Sequence, residues 1–419
     1  MVSKYGVFYI IATKGHATVS GILQELEKPK EYYNAIFNHL IELEKDGLVL
    51  RKDGVKIVHT KRSEQLFNII SFCVRNSINY DILLKKSFID FLIKAAKKEV
   101  FTIRDVHIHP QTFKFYVDAL SNYGFLLVIS KNPLRAKLLR HHFIIDVVNF
   151  FKRGIMFYVP KKKDFIPYIL KEMRKYRRNK RLHYSVLEGV ERRKEAGFIY
   201  SSLNLEGNPI TLPETQKLIF EDVLPEHQKI MHVNEVVNYK KAVDFMISNV
   251  KKRISLSMGL LLEYHRLAMG HIVGAGVLRK QNVKIKNNPS FHTSDWRDVP
   301  NKLNDLLVKY GEFISEKRGV KGVISFAAFF HNEFQRIHPF IDGNSRISRL
   351  VMLHILRSGD IPVLDLPIGY FDMYLDLTKR SSVRDDESFK YLIEEIVFIN
   401  FKLKKNLLPC LDFFRFFQS

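Results

Sequence analysis

A polar loop lies between two apolar helical patterns in the stretch "FHNEFQRIHPFIDGNSRISRLVMLHIL", residues 330–356. Apolar residues at spacings of three and four predict helices over residues 323–336 and 345–358. The loop between them holds a His, a Pro, an Asp and a Gly-Asn pair, and two Arg follow it. The pattern constrains this part of the chain to a helix–loop–helix with polar and charged side chains at the start of the second helix.

The start of that second helix is a candidate anion pocket. Gly343, Asn344 and Ser345 fall at its N-terminus, where unpaired backbone N–H groups and the positive end of the helix dipole favour an anion. Arg346 and Arg349 are three residues apart and project towards the same side. Two guanidiniums beside a row of amides suit a polyphosphate better than a single carboxylate.

Two residues of the loop, His338 and Asp342, suggest a reaction on that phosphate. Asp342 would be repelled by the anion unless a cation lies between them, and Mg²⁺ bridging carboxylate and phosphate oxygens removes the conflict. His338 precedes the pocket and is placed to act as a base on an incoming hydroxyl. The alternative, a capped structural turn, explains the residues one at a time but not the whole string.

The string "HPFIDGNSR" resembles the motif of the Fic family, and the resemblance covers about residues 195–405. It implies an all-α domain that transfers AMP from ATP to a Ser, Thr or Tyr hydroxyl of a target protein or of itself, with ATP and Mg²⁺ required. By this resemblance His338 is the general base, Asp342 binds Mg²⁺, Gly343, Asn344 and Ser345 form the anion hole, and Arg346 and Arg349 hold the outer phosphates. Ser345 stands where Gly is usual, and we expect it to be tolerated because the backbone N–H is what the pocket uses. Transfer of UMP or phosphocholine, as in some relatives, stays open.

A second stretch, "SLNLEGN" at Ser202–Asn208, resembles the inhibitory motif (S/T)xxxE(G/N) of autoinhibited Fic enzymes. Ser202, Glu206 and Gly207 are its matching residues. The resemblance implies that Glu206 pairs with Arg349 and so removes one phosphate clamp. It also implies AMP removal as a second activity, because in some autoinhibited members the motif Glu orients a water. The alternative is a Glu in a polar loop.

Two further stretches resemble parts of the same site. "AGVLRKQNVKIKNN", residues 275–288, resembles the β-hairpin flap that aligns the target by strand addition, with Val283, Lys284 and Ile285 as its inner strand beside the nucleotide. "YFDMYLDL" resembles the segment that contacts adenine, with Tyr374 as the candidate residue. The alternatives are an ordinary surface hairpin and a core aromatic side chain.

The first half of the chain differs in charge. Residues 1–200 hold 37 Lys and Arg against 19 Asp and Glu, whereas residues 201–419 hold 30 against 25. This excess favours nucleic acid as a partner, although a solvated basic surface is the alternative. Helical patterns followed by an alternating stretch around Asp53-Gly54 predict a winged-helix domain over residues 1–65. We predict a second over 80–140, a basic helical linker over 150–195 and the Fic domain over 196–405. A winged helix used for protein contacts is the alternative to DNA binding.

Composition argues against several classes of protein and of metal site. The two cysteines, Cys73 and Cys410, have no ligand-like spacing, so neither a disulfide scaffold nor a Cys-based zinc site is predicted. The pair His107 and His109 in "HIHP" is interpreted as a turn rather than a metal site. No run reaches 18 apolar residues, so we expect no membrane span and a cytoplasmic location. A homodimer stays open. The second functional hypothesis is a DNA-binding regulator whose Fic domain senses nucleotide.

Overall fold

The computed structural model divides into two compact units, residues 1–159 and 160–419, which are taken separately here. The described residues are 2–52, 54–158, 164–182, 184–226, 228–285, 288, 290–316, 318–362, 365–380 and 385–403. The fold is mainly helical, as the sequence predicts. None of the described helices is both long enough and apolar enough to cross a bilayer.

The first unit begins with three helices and a small sheet. Its elements are α1 Lys4–Lys14, β1 His16–Ala17, α2 Val19–Glu25, α3 Tyr33–Lys45, β2 Val49–Arg51 and β3 Val55–Ile57. Side chains of Ser3 and Thr18 cap α1 and α2, which satisfies amides that a helix start leaves unpaired. The strands are antiparallel in the order β1-β3-β2. This element order is the one that a winged helix requires, and the winged-helix assignment stays a prediction.

In the remainder of the first unit, residues 86–138 repeat that order. Its elements are α4 Lys61–Arg75, α5 Tyr80–Leu83, α6 Lys86–Ala96, α7 Ile103–Val106, α8 Pro110–Asn122, β4 Leu126–Lys131, β5 Leu134–Leu138 and α9 His142–Phe150. Phe101 forms a bridge to Ala136 of β5, so a short extended segment lies where β1 lies in the first half. His107 ends α7 in a left-handed conformation, and the His109 side chain caps α8. The HIHP stretch is therefore a turn between two helices.

The second unit is a bundle around one buried helix. Its helices are α10 Ile166–Leu182, α11 Tyr184–Asn204, α12 Leu212–Phe220, α13 Ile230–Lys251, α14 Met258–Ala268, α15 Val299–Ser315, α16 Val320–Ile337, α17 Asn344–Ser358, α18 Phe371–Asp376 and α19 Asp386–Leu403. Every residue of α17 from Asn344 to Leu356 is buried. Helices α11, α13, α14 and α16 pack against α17, so side chains from distant parts of the chain meet at its N-terminus.

The basic stretch before this bundle is more than a solvated connection. Helix α10 carries an apolar stripe in which Ile169 and Met173 are buried, and it packs against α19 and α16. Ile169 and Met173, four residues apart, thus belong to the face that joins α10 to the bundle. We therefore describe α10 as part of the second unit.

The predicted flap hairpin includes residues 286 and 287, which lie outside the described residues, and it stays a prediction. No strand is assigned to Val283–Ile285 or to the other described residues of the 275–288 stretch. The reason lies in their hydrogen bonds: the Val283 carbonyl accepts from the Thr293 hydroxyl at 3.2 Å, and the Arg279 guanidinium donates to the Gln281 carbonyl at 2.8 Å. Side chains take the places that a partner strand would fill.

Candidate active site

His338 lies directly beyond the last residue of α16. Its backbone is left-handed, with φ 53°, and its N–H donates to the Phe334 carbonyl, which closes the helix. The Nδ1 atom lies 3.2 Å from the Gln335 carbonyl, so Nδ1–H donates there and the neutral ring keeps its lone pair on Nε2. Burial lowers the pKa of His338 to about 4. The ring is therefore neutral at pH 7, as a general base requires.

The loop after His338 is fixed by an amide side chain. Asn344 Oδ1 accepts from the Phe340 N–H at 2.9 Å and its Nδ2 donates to the Phe340 carbonyl at 2.8 Å. Phe340 is fully buried and stacks on His265 at 3.7 Å between ring centroids. The Asn344 side chain thus shapes the loop. Of the amides assigned to the anion pocket, the Gly343 N–H donates to Asp342 Oδ1 at 2.6 Å.

His265, which the sequence did not single out, ties this loop to the segment after α14. Its Nε2 donates to the Asp342 carbonyl at 3.0 Å, and its Nδ1 accepts from the Gly276 N–H at 2.7 Å. Burial lowers the pKa of His265 to about 4, so the ring stays neutral and keeps this tautomer. Arg279 adds a second tie, since its Nε donates to the His338 carbonyl at 2.7 Å.

Arg346 is buried at the first turn of α17 among carboxylates. Its Nη2 lies 3.2 Å from Asp342 Oδ2 and its Nη1 lies 3.5 Å from Glu235 Oε1. Its Nε has no hydrogen-bond partner among the described residues. Glu235 also accepts from Asn208 Nδ2 at 2.7 Å. Arg346 is therefore held in place by acids on two elements and keeps one donor for a further anion.

Arg349 is closed off by the segment that resembles an inhibitory motif. Its Nε donates to the Ser202 hydroxyl and its Nη2 to the Ser202 carbonyl, each at 2.7 Å. The same Nη2 lies 2.9 Å from Glu206 Oε1. Ser202 is in the last turn of α11 and Glu206 follows it by four residues, so one helix end brings both to Arg349. The predicted pair of Glu206 and Arg349 is thus formed in the structure.

Glu206 has a second cationic partner that the sequence did not suggest. Its other carboxylate oxygen, Oε2, forms an ion pair with the Lys379 ammonium. Burial opposes the charge on Glu206, but Arg349 and Lys379 overcome it and lower the pKa of this carboxyl to about 2. The carboxylate therefore stays ionised throughout the neutral range.

Tyr374, the candidate adenine contact, lies in the core of the second unit. It is 2% exposed, its hydroxyl lies 2.8 Å from His331 Nε2, and its ring lies 5.7 Å from the Arg349 guanidinium carbon. Tyr239 supports the other side, since its hydroxyl donates to the Arg346 carbonyl at 3.0 Å and accepts from Ser202 at 2.9 Å. We interpret Tyr374 as a core aromatic side chain that packs against Arg349, which is the alternative given for it in the sequence analysis.

The residues present fit a magnesium ion bound with phosphate. The Asp342 side chain is 63% exposed beside the first turn of α17, although Arg346 contacts Oδ2 and the Gly343 N–H donates to Oδ1. Mg²⁺ keeps several waters and takes one or two carboxylates together with substrate phosphates. One accessible carboxylate at an anion pocket meets that requirement.

Gly343 is required by the turn into α17. Its φ is +80°, and a Cβ there would lie 2.8 Å from Met269 Cγ and Sδ. We expect Gly343→Ala to lower the free energy of unfolding by about 2–4 kcal/mol, from left-handed strain and crowding. Gly311→Ala is the control, because Gly311 is helical with open space around its Cβ position, and it should stabilise by about 0.5–1 kcal/mol. Urea unfolding measures both, and equal stability of Gly343→Ala and wild type would contradict the argument.

Comparison with known proteins finds a family whose model overlaps this site. A family model described as Fic/DOC family matches residues 255–356. The chain is 27% identical over 208 residues to a curated protein adenylyltransferase Fic of Drosophila yakuba, which covers 48% of this chain and 41% of that relative. The corresponding protein of Drosophila erecta is 28% identical over the same length and coverage. The chain thus spans about two-fifths of the length of the curated relatives it matches.

Solved structures show the same fold. A Fic-domain-containing signaling protein from Bacteroides thetaiotaomicron superposes with a TM-score of 0.52 at 18% identity, covering 57% of this chain and 97% of that one. Fic-1 from C. elegans, residues 134–508, superposes with a TM-score of 0.50 at 20% identity, covering 58% of this chain and 71% of that one. At these identities the likeness concerns the fold.

Proposed function

Since residues 255–356 of the chain form a Fic/DOC family domain, we propose that the protein is a nucleotidyltransferase that moves AMP from ATP to a hydroxyl side chain of a target protein. The observation that carries this proposal is the neutral His338 beside the buried N-terminus of α17. A base and an anion pocket adjoin there, and Asp342 lies between them in sequence. The curated relatives that match are named protein adenylyltransferases.

In the proposed reaction the target hydroxyl oxygen bonds to the α-phosphorus of ATP. The bond from that phosphorus to the oxygen bridging the α and β phosphates breaks, and pyrophosphate leaves. His338 Nε2 accepts the hydroxyl proton. The amides of Asn344 and Ser345, and that of Gly343 once it releases Asp342 Oδ1, bind phosphate oxygens. Arg346 and Arg349 hold the outer phosphates. Mg²⁺ held by Asp342 would neutralise phosphate charge when bound.

The same geometry supports self-inhibition. Arg349 can hold an outer phosphate only if Glu206 leaves it, because the carboxylate and the phosphate compete for the same guanidinium donors. Glu206 is tethered to α11, so its effective concentration at Arg349 is high. We propose that this pair keeps the resting enzyme slow. AMP removal, with Glu206 orienting a water, is the second activity that the proposal includes.

Transfer of radiolabel from ATP labelled at the α-phosphate tests the function. We expect label on protein with the Glu206→Gly variant in the presence of Mg²⁺, and none with ATP labelled at the γ-phosphate, since pyrophosphate leaves. UTP and CTP labelled at the α-phosphate, used in parallel, identify the preferred base. Absence of protein labelling with every nucleotide would reject nucleotidyl transfer and favour a nucleotide-sensing role.

DNA binding by the first unit stays a prediction. Its basic excess supports it, but the exposed face of α3 carries Tyr33 and Phe37, 44% and 42% exposed, rather than a row of cations. Arg51 of β2 lies over the Phe37 ring at 5.2 Å. Such an aromatic face suits protein contacts better than contacts with phosphate. AMP transfer is therefore the function that we put forward.

A further inference from the structure

Lys379 contacts the oxygen of Glu206 that Arg349 does not use. The Lys379 ammonium pairs with Oε2, and Arg349 Nη2 lies 2.9 Å from Oε1. The carboxylate therefore sits between two cations that come from separate elements, α17 and the turn after α18. No local sequence pattern points to this contact, which joins residues 173 positions apart.

The backbone that carries Lys379 is firmly placed. The Thr378 hydroxyl donates to the Tyr374 carbonyl at 2.7 Å, and the Arg380 N–H donates to the Leu375 carbonyl at 2.8 Å. Asn288 Nδ2, from the stretch beyond Val283–Ile285, donates to the Lys379 carbonyl itself at 2.6 Å. The Lys379 side chain is 34% exposed. Lys379 thus combines a hydrogen-bonded backbone with a partly exposed ammonium on a long, flexible side chain, which suits exchange of one anionic partner for another.

The charge at this point is unbalanced once Glu206 departs. Glu206 supplies one negative charge to two cations, Arg349 and Lys379. A polyphosphate that takes the place of the carboxylate on Arg349 brings more negative charge to the same spot, where the Lys379 ammonium already lies within contact distance of an anionic oxygen. Leaving two cations without an anion there would be unfavourable, so the geometry favours a ligand that satisfies both.

We infer that Lys379 is a shared cation of this site: it holds Glu206 in the resting enzyme and binds the outer phosphates of the nucleotide when Glu206 leaves. The inference rests on the proposed function, because it takes ATP as the ligand. It adds a nucleotide-binding residue outside the helix–loop–helix. It also makes Lys379 a common partner of the inhibitory carboxylate and the substrate.

Equilibrium binding by titration calorimetry tests the inference without using catalysis. In the Glu206→Gly background we expect Lys379→Met to weaken ATP·Mg²⁺ binding about three- to tenfold, the range for a partly exposed charge-assisted contact. The affinity for inorganic tripolyphosphate should fall by the same factor, because this ion presents the outer phosphates without the nucleoside. AMP should bind unchanged, since it lacks those phosphates. Lys379→Arg should restore most of the affinity, because it keeps the charge.

Lys390→Met is the matched control, because Lys390 pairs with Glu387 on α19 and not with Glu206. It should leave all three affinities unchanged. Equal ATP affinity of Glu206→Gly with and without Lys379→Met would overturn the inference and leave the proposed function intact. An equal loss of affinity for AMP would also overturn the inference, because the weaker binding would then come from altered packing of the site. Failure of Glu206→Gly to bind ATP at all would reject the proposed function as well.

Discussion

Replacing Glu206 by glycine is expected to raise the initial rate of AMP transfer on the order of 10- to 100-fold over wild type, at an ATP concentration below saturation. The change frees Arg349 and Lys379, which both contact the carboxylate. A hydrogen bond to a charged group contributes about 1.5–3 kcal/mol, and tethering adds to the competition that the nucleotide must overcome. Rates of label transfer from ATP labelled at the α-phosphate measure the change.

The variant has a second expected property that separates release of inhibition from general loosening. Arg349 is 3% exposed, and without Glu206 part of its charge is unbalanced in a buried place. We therefore expect a lower thermal midpoint for Glu206→Gly than for wild type, and a larger rise on addition of ATP·Mg²⁺, because the ligand binds only the folded state. Glu226→Gly, in an exposed turn, is the control and should change neither rate nor midpoint. Transfer by Glu206→Gly no faster than wild type would contradict self-inhibition.

The helices of the second unit could be predicted because their signal is local. The structure has α16 over Val320–Ile337 and α17 over Asn344–Ser358, against predictions of 323–336 and 345–358. Apolar periodicity and the Gly343 turn are enough for that. Helix α4 was not predicted, although Leu66, Ile69, Ile70 and Cys73 follow the same spacing and are buried, so its signal was present in the sequence.

The parts of the site that could not be predicted are contacts between distant residues. Lys379 with Glu206, Arg279 with His338 and His265 with Asp342 are separated by 173, 59 and 77 positions. Such pairs leave no periodic trace, because each side chain alone is an ordinary charged or polar residue. Burial is equally invisible at single positions, so the sequence alone does not show that Tyr374 lies in the core. The family resemblance supplied Glu206 and Arg349, since their motifs are short and specific.

His338→Ala, made in the Glu206→Gly background, is expected to lower transfer by about 10²–10⁴-fold, the usual contribution of a positioned general base. ATP binding should change by less than about threefold, because the phosphates meet the start of α17 and its arginines rather than the imidazole. His59→Ala, at an exposed histidine of the first unit, is the control. Equal transfer by the double variant and Glu206→Gly would reject His338 as the base.

The pH dependence distinguishes a base from a merely structural histidine. Burial lowers the pKa of His338 to about 4, so the ring becomes protonated, and loses its capacity to accept a proton, only as the pH falls towards that value. The kcat/KM of Glu206→Gly, which reports the free enzyme, should therefore be level from about pH 6 to 8 and decline below about pH 5. A histidine base with an ordinary pKa of about 6.5 would already halve kcat/KM at about pH 6.5. Because the fold is expected to weaken in acid as well, circular dichroism at each pH must show that the protein is still folded. A level profile for the residual activity of His338→Ala over the same range would then assign the acid limb to this residue.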